Sequence, residues 1–193
     1  MQNEKFLVAI SVLFMGACSI LGGYSQKSTF YMMNSSGLEK ISGKKFNIGV
    51  GKVNVPDILN KPQLVVYDKD SHEVNILEFE RWGEPLPYVL QGAITSDLMA
   101  YLPDSFVKSV EFASENLDYV VRVKINKIEA YQNDKVVLSA WWHIENTKGK
   151  IVARRQKTYE VKVKGENISD LVSAENEAVN LLSADIAEYF AKM

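Results

Sequence analysis

The chain contains one cysteine, Cys18, and only two histidines, so the residue types that build most metal and redox sites are scarce. A lone cysteine cannot form a disulfide within one chain. Stability must therefore come from a packed core, for which an apolar content of 47% is ample. Basic residues are interspersed with acidic ones, and the formal net charge is −2. Without a basic cluster we expect no nucleic-acid binding.

Catalytic motifs are also missing. His72 lies beside a predicted turn and His143 in a predicted strand, and neither has a second ligand at metal-binding spacing. No serine occupies a Gly-x-Ser-x-Gly elbow. The Gly49-Val50-Gly51 run lacks the third glycine and the helix of a dinucleotide loop, so it predicts a kinked strand or close backbone packing. We expect no catalytic residue, no metal and no cofactor, with a hydrolase that uses the two histidines as a minor alternative.

The N-terminal segment has the organisation of a secretory signal peptide. Lys5 precedes the uncharged run from Phe6 to Ala17, whose last two residues are small and lead into Cys18. The apolar run as a whole, Phe6 to Leu21, is too short to span a bilayer and ends in Gly22-Gly23. A cysteine at that exit is typical of a bacterial lipobox, because its sulfur is the atom that receives a diacylglycerol. We predict a signal peptide over residues 1–17 and a lipid anchor, with palmitate, on Cys18; the alternative is a buried free thiol.

The residue after the lipidated cysteine influences sorting of bacterial lipoproteins. An Asp at that position commonly retains them in the inner membrane, whereas this chain has Ser19. We therefore expect the protein on the periplasmic face of the outer membrane of a Gram-negative bacterium.

Beyond the anchor, composition predicts a tether over residues 18–45 and a single α/β domain over 46–193. The tether is rich in Ser, Gly, Asn and Lys, and its one apolar island, Phe30 to Met33, favours an added strand. Pro85 and Pro87 open a helix whose apolar residues repeat at helical spacing, and Pro103 ends it.

The second half of the domain predicts a meander and a closing helix. Three segments of alternating polarity, separated by turns at Asn133-Asp134 and at 146–149, predict an antiparallel three-strand meander. An amphipathic helix follows from about Ser169 to Ala191, with its acidic residues mostly facing water: Glu175, Glu177, Asp185 and Glu188. The expected fold class is α/β, a mixed or antiparallel sheet with two main helices packed on it.

Two groups of residues are candidate partner interfaces. Arg81, Trp82 and Glu84 stand together at the entry to the first helix, and Trp and Arg are common interface anchors. The alternative is that Arg81 pairs with a nearby carboxylate while Trp82 covers the end of the sheet.

The second group is Trp141-Trp142, where adjacent strand residues must point to opposite faces. Trp142 shares a face with Leu138 and Ile144, whereas Trp141 lies with His143 on the other face. Trp141 is therefore a candidate contact residue, unless the helices cover both faces and both indoles belong to the core.

Several motifs together are similar to the ABC-type transport auxiliary lipoprotein family. The lipobox is followed by Phe-Tyr-Met-Met at 30–33 and by Ile48 to Val65, which resembles the family's Gly-Val-Gly-Pro-Val-x-Val-Pro-x-Tyr-Leu-Asp-Arg-Pro-Gln-Ile-Val run. Residues 78–86 resemble its Glu-Phe-x-Arg-Trp-x-Glu-Pro-Leu signature. Lys52 stands in place of a usual proline and Ile58 in place of a tyrosine, while Trp142 doubles a single tryptophan.

The resemblance implies a non-enzymatic accessory protein that serves an intermembrane transport system for lipids or other hydrophobic substrates and supports membrane integrity. Its partner would be an MCE-domain protein, docked at the periplasmic end of the complex, and it would assemble as a ring of identical subunits. A second hypothesis, of another class, is that the domain itself binds a lipid or amphiphile in a groove between helix and sheet.

Overall fold

The computed structural model describes residues 26–35, 39–111 and 116–193, so the signal peptide and Cys18 lie outside the described residues. No helix within those ranges is long and apolar enough to cross a membrane. In chain order the elements are β1 (Thr29–Tyr31), β2 (Asn47–Gly51), a short 3-10 helix (Asp57–Leu59), β3 (Gln63–Tyr67), β4 (Val74–Trp82), α1 (Leu86–Tyr101), β5 (Phe106–Val110), β6 (Tyr119–Ala130), β7 (Lys135–Asn146), β8 (Ile151–Lys162) and α2 (Ile168–Ala191).

The strands form two sheets. The larger has the order β5-β2-β6-β7-β8, in which β2 runs parallel to both neighbours. Its second half, β6 to β8, is the predicted antiparallel meander, which is confirmed. The smaller sheet has the order β1-β4-β3, with β1 parallel and β3 antiparallel to β4. The predicted α/β class with two main helices is confirmed, although the strands divide between two sheets.

Both helices cover one face of the five-stranded sheet. Helix α1 packs on β2 and β5, α2 packs on β7 and β8, and the two helices pack on each other. One contiguous apolar cluster joins helix residues such as Leu90 and Leu182 to strand residues such as Ile48, Val121 and Leu138. The opposite face of the sheet has no helix against it within the described residues.

The ends of the helices agree with the sequence signals. Pro85 precedes α1, and after its last turn the N–H of Leu102 donates to the carbonyl of Leu98 at 2.9 Å. At the start of α2, Asn167 and Asp170 form a capping box, in which the Asn167 N–H donates to a carboxylate oxygen of Asp170 at 3.0 Å.

Two acidic residues of α2 do not face water. Glu175 and Asp185 are only 6% and 7% exposed, so the prediction for them is wrong. The apolar stripe of α2 is wider than its periodicity suggested, because the helix contacts β7, β8 and α1 at once. Burial raises the pKa of Glu175 to about 8. Asp185 instead has partners, which include the side chains of Lys157 and Tyr159.

The segment before residue 46 is more than a tether. The apolar island supplies β1, as the sequence favoured. Asn34 and Asn176 of α2 then exchange two hydrogen bonds, at 3.0 and 2.9 Å. Farther on, the N–H of Ile41 donates to the carbonyl of Tyr101 at 2.7 Å. The structure therefore differs from a tether that extends through residues 18–45, because these backbone groups find partners on the domain.

Candidate protein interface on the helix-free sheet face

The two adjacent tryptophans lie on opposite sides of β7. Trp142 is 1% exposed, and its ring centroid lies 6.3 Å from that of Tyr189 on α2. Trp141 is half-buried and points to the helix-free face. Since the helices cover only one face, only Trp142 belongs to the core, and Trp141 remains available for contact with another molecule.

Trp141 forms the wall of a shallow cleft. Its ring centroid lies 4.8 Å from that of His143, two residues along the strand. Lys124 on β6 and Gln156 on β8 are its cross-strand partners. The cleft has a volume of about 550 Å³ and is lined by Lys124, Asn126, Lys127, Ser139, Trp141 and Gln156.

Ion pairs on this face leave basic charge unbalanced. Each carboxylate near the cleft has a basic partner: Arg122 Nε donates to Glu145 at 2.9 Å, Lys127 Nζ to Glu129 at 2.6 Å and Lys135 Nζ to Glu160 at 2.9 Å. In the part of the chain that the structure describes, Lys124 and Arg154 have no carboxylate within 4.0 Å. The face is therefore locally positive although the chain is acidic overall.

Arg122 is held over the backbone of β2. A Cβ atom on Gly51 would lie 2.8 Å from Nη1 of Arg122, so this glycine makes room for the guanidinium. Nε2 of His143 lies 3.6 Å from Oε2 of Glu145, while Oε1 of the same carboxylate accepts from Arg122. These contacts fix the rim of the cleft on the side of β2.

The other predicted interface residues belong to the smaller sheet. Trp82 is the last residue of β4 and is 4% exposed. Its backbone N–H donates to the carbonyl of Pro62 at 2.7 Å. It is thus a core residue, in agreement with the alternative that it covers the sheet. Arg81 is half-buried, and its Nε has no hydrogen-bond partner, whereas Glu84 is exposed. The structure places Arg81 and Trp82 on another sheet from Trp141, and Glu84 in the link between that sheet and α1.

The neighbouring carboxyl group of Glu80 interacts with the first strand. Thr29 of β1 is its register partner, and Tyr31 stands two residues further along β1. Burial, a hydrogen bond with Glu80 and the charge of that carboxylate raise the pKa of Tyr31 to about 12. Trp82 and Tyr31 are register partners, so this end of β4 is a structural junction.

The two histidines lie apart. His72 lies in the turn between β3 and β4, with φ of 60°, and His143 lies on β7 of the other sheet. Within residues 26–35, 39–111 and 116–193, no three His, Cys, Asp or Glu side chains converge as metal ligands. The half-buried indole of Trp141 beside Lys124 suits contact with a protein surface that carries carboxylates.

Sequence reasoning missed Lys124, Arg154 and Gln156 as neighbours of Trp141. Alternation placed Lys124 on the polar side of β6, but a bulge between Ile125 and Lys127 shifts the register with β7. That irregularity leaves no signal in the sequence. Only the pairing of the folded strands identifies the residues that line the cleft.

Comparisons with known proteins agree with this fold. The sequence profile of the family described as ABC-type transport auxiliary lipoprotein component matches residues 33–187. No curated protein matches the chain. One solved structure, titled only as an uncharacterized protein, is 21% identical, with a TM-score of 0.69 over 85% of this chain and 99% of its own.

Two further solved structures have lower identities. A protein from Xanthomonas campestris, assigned to the family DUF330, is 13% identical, with a TM-score of 0.68 over 84% of this chain and 95% of its own. A PelC dodecamer from Paraburkholderia phytofirmans is 12% identical, with a TM-score of 0.41 over 77% of this chain and 93% of its own. The uncharacterized protein and the Xanthomonas protein show the same fold as this chain.

Proposed function

Because this chain belongs to the ABC-type transport auxiliary lipoprotein family, we propose that it is a non-enzymatic outer-membrane lipoprotein that docks the periplasmic end of an MCE-type transport complex. The family assignment supports a transport partner. The substrates would be lipids or other hydrophobic molecules that pass between the two membranes.

Lipidation of Cys18 is the first part of the proposal. The uncharged run and the small residues before Cys18 support cleavage at that position, and Ser19 supports transfer to the outer membrane. Mass spectrometry of the protein from its native membrane tests this part. We expect a first residue 18 that carries a diacylglyceryl group and an amide-linked acyl chain, whereas a retained Met1 or an unmodified Cys18 would contradict it.

The helix-free face is the proposed docking surface. The observation that carries it is the half-buried Trp141 beside Lys124, on a face where Lys124 and Arg154 have no carboxylate within 4.0 Å among the described residues. Trp and Arg supply a large share of interface energy where they become fully desolvated. An acidic patch on the partner would neutralise Lys124 and Arg154, and it would speed association by electrostatic attraction.

Cross-linking in cells followed by purification tests the docking surface. The native protein should recover an MCE-domain protein, whereas Trp141→Ala combined with Lys124→Glu should reduce recovery about tenfold or more. Leu181→Ala is a matched control, since Leu181 is 43% exposed on α2, on the other side of the sheet. Equal losses in the two variants would contradict docking at Trp141, and no recovery by the native protein would contradict the MCE partnership.

A ring of identical subunits is the proposed assembly. A ring presents several copies of a weak contact to one partner, so the sites act together through their effective concentration. Light scattering of the lipidated protein in detergent should give the mass of a multimer, and a monomer at micromolar concentration would contradict the ring.

The packing favours docking over lipid binding between helix and sheet. The interface of the two layers is filled by side chains that are at most 1% exposed, among them Trp142, Phe190, Leu138 and Leu182. A ligand in that position would have to displace this core. Docking is therefore the function that the geometry supports best.

A further inference from the structure

Several exposed apolar side chains belong to the smaller sheet or lie directly beside it. Phe30 of β1 is 64% exposed, and Met32, the first residue after β1, is 56% exposed. Val74 and Ile76 on β4 are 41% and 40% exposed. Phe79, which precedes the register partner of Phe30 by two residues on β4, is 38% exposed. We call Phe30, Met32 and Phe79 the β1 patch.

Strand pairing with β4 fixes the backbone beneath the β1 patch. The residues of β1 pair in parallel with Glu80, Arg81 and Trp82, and the N–H of Gly83 donates to the carbonyl of Tyr31 at 2.8 Å. The thioether of Met32 covers Gly83, where an added Cβ would lie 2.8 Å from the sulfur. Phe30 is thus exposed on a strand that pairing fixes, while Met32, directly after it, packs partly over Gly83.

The distance from the proposed anchor limits where this strand can be. Thr29 follows Cys18 by eleven positions, and a fully extended chain of that length spans at most about 40 Å. A domain of this size has a radius of gyration of about 15 Å, and hence a diameter of roughly 40 Å. Of the described strands, β1 follows Cys18 by the fewest residues, so its reach from the leaflet is the shortest.

We propose that the β1 patch contacts the acyl and headgroup boundary of the membrane that holds Cys18, and so orients the domain on that surface. The inference rests on the proposed lipid anchor. Anchoring converts a weak apolar contact into an intramolecular one, so a few side chains suffice to set an orientation. Lys27, exposed two positions before β1, is compatible with anionic headgroups.

The contact must be shallow. Among the described strands β1 is at an edge, with a partner on one side only, and unpaired N–H and C=O groups are strongly disfavoured in hydrocarbon. The side chains of Phe30 and Met32 would enter the interface while the backbone stays in contact with water. With the small sheet turned to the membrane, the helix-free face of the large sheet stays free for a protein partner.

Spin labels on introduced cysteines test this orientation, and no native thiol competes for the label. Cys18 is the only cysteine, and its sulfur is consumed when the lipid is attached, so one introduced cysteine carries the label alone. The lipidated protein is placed in nanodiscs of phosphatidylethanolamine and phosphatidylglycerol, with labels at Phe30→Cys and Met32→Cys. Phe106→Cys on β5 is the matched control, because Phe106 is 60% exposed on an edge strand of the other sheet.

The readout is the ratio of nitroxide collisions with oxygen to collisions with a water-soluble nickel chelate. We expect this ratio at positions 30 and 32 to exceed the ratio at position 106 by about threefold or more. Equal ratios at all three positions in the lipidated protein would overturn the membrane contact and leave the anchor standing. An unmodified residue 18 in the intact mass would overturn both. Unchanged thermal unfolding of each variant confirms that the labelled proteins are folded.

Discussion

The Nζ atom of Lys157 on β8 lies 2.8 Å from Oδ1 of Asp185 on α2, and this pair joins the last helix to the last strand. The Tyr159 hydroxyl donates to the other carboxylate oxygen at 3.1 Å, and Nη1 of Arg155 lies 3.3 Å from it. Burial alone would raise the pKa of Asp185, but the hydrogen bonds and the positive charges outweigh it, and the pKa is lowered.

Asp185→Asn should therefore lower the free energy of unfolding at neutral pH, by about 1–3 kcal/mol. The folded pKa of Asp185 lies below the ordinary value of 3.8. Its contribution is present above pH 4 and is lost as pH falls through the folded pKa. Urea unfolding should show a smaller difference between variant and native protein near pH 2.5 than at pH 7.

Asp104→Asn is the control for that measurement. Asp104 lies 3.9 Å from Lys45, and its side chain is 59% exposed, so its loss should change the unfolding free energy by less than about 0.5 kcal/mol. Equal effects of the two substitutions would contradict the role assigned to Asp185.

Glu175→Gln should stabilise the protein at alkaline pH. Burial raises the pKa of Glu175 from 4.5 to about 8, so the folded state binds a proton that the unfolded state releases between these values. The stability of the native protein thus falls as pH rises through this window, and the amide removes that loss. We expect Tm at pH 9 to rise by about 3–10 °C relative to the native protein, with little change at pH 4. Glu177→Gln, at a side chain 52% exposed on the same helix, should alter Tm at neither pH.

Two glycine substitutions should have opposite signs. A Cβ on Gly49 would lie 2.8 Å from Leu117 Cδ1 and 3.0 Å from Val110 Cγ2, so Gly49→Ala should destabilise the domain by about 1–3 kcal/mol. Nothing lies within 4 Å of a Cβ on Gly92, which is exposed inside α1, and Gly92→Ala should stabilise by about 0.5–1 kcal/mol. Chemical denaturation of both variants measures the two changes. A Gly49→Ala variant as stable as the native protein would refute the packing assigned to Gly49, and a destabilised Gly92→Ala variant would refute the open space assigned to Gly92.

The neighbouring tryptophans should separate stability from binding. Trp142→Ala removes a fully buried indole and should cost about 3–5 kcal/mol, which is much of the stability of a domain. Trp141→Ala should cost roughly 1 kcal/mol, because its ring is partly exposed on the helix-free face. A large loss from Trp141→Ala would show that this indole supports the fold.

Local sequence signals predicted the secondary structure well. Pro85 and Pro87 place the start of α1 because proline is tolerated only in the first turn, and the helix indeed begins at Leu86. The turn at Asn133-Asp134 also agrees, since Asn133 has φ of 59°, a conformation that Asn adopts readily. The close packing predicted for Gly49 and Gly51 is confirmed by their contacts with Leu117 and Arg122.

Predictions about the surroundings of each side chain were less complete. The pattern of α2 placed Glu175 and Asp185 in water, but the helix packs on two strands and on α1 at once. Arg81 and Trp82 stood beside a predicted helix, whereas they end a strand whose last residue is core. Periodicity describes one face of an isolated element, and it carries no information on how many neighbours that element will have.

By itself, the amino-acid sequence determined the order of the main helices and of the meander strands, that Trp141 and Trp142 point to opposite faces, and the similarity to a transport auxiliary family. Tertiary structure alone decided that both helices cover the same face, and therefore which indole is buried. It also decided which cations lie beside Trp141, and that β1 carries its apolar side chains outward. The reason is that backbone preferences act over a few residues, whereas burial and charge depend on contacts between segments far apart in the chain.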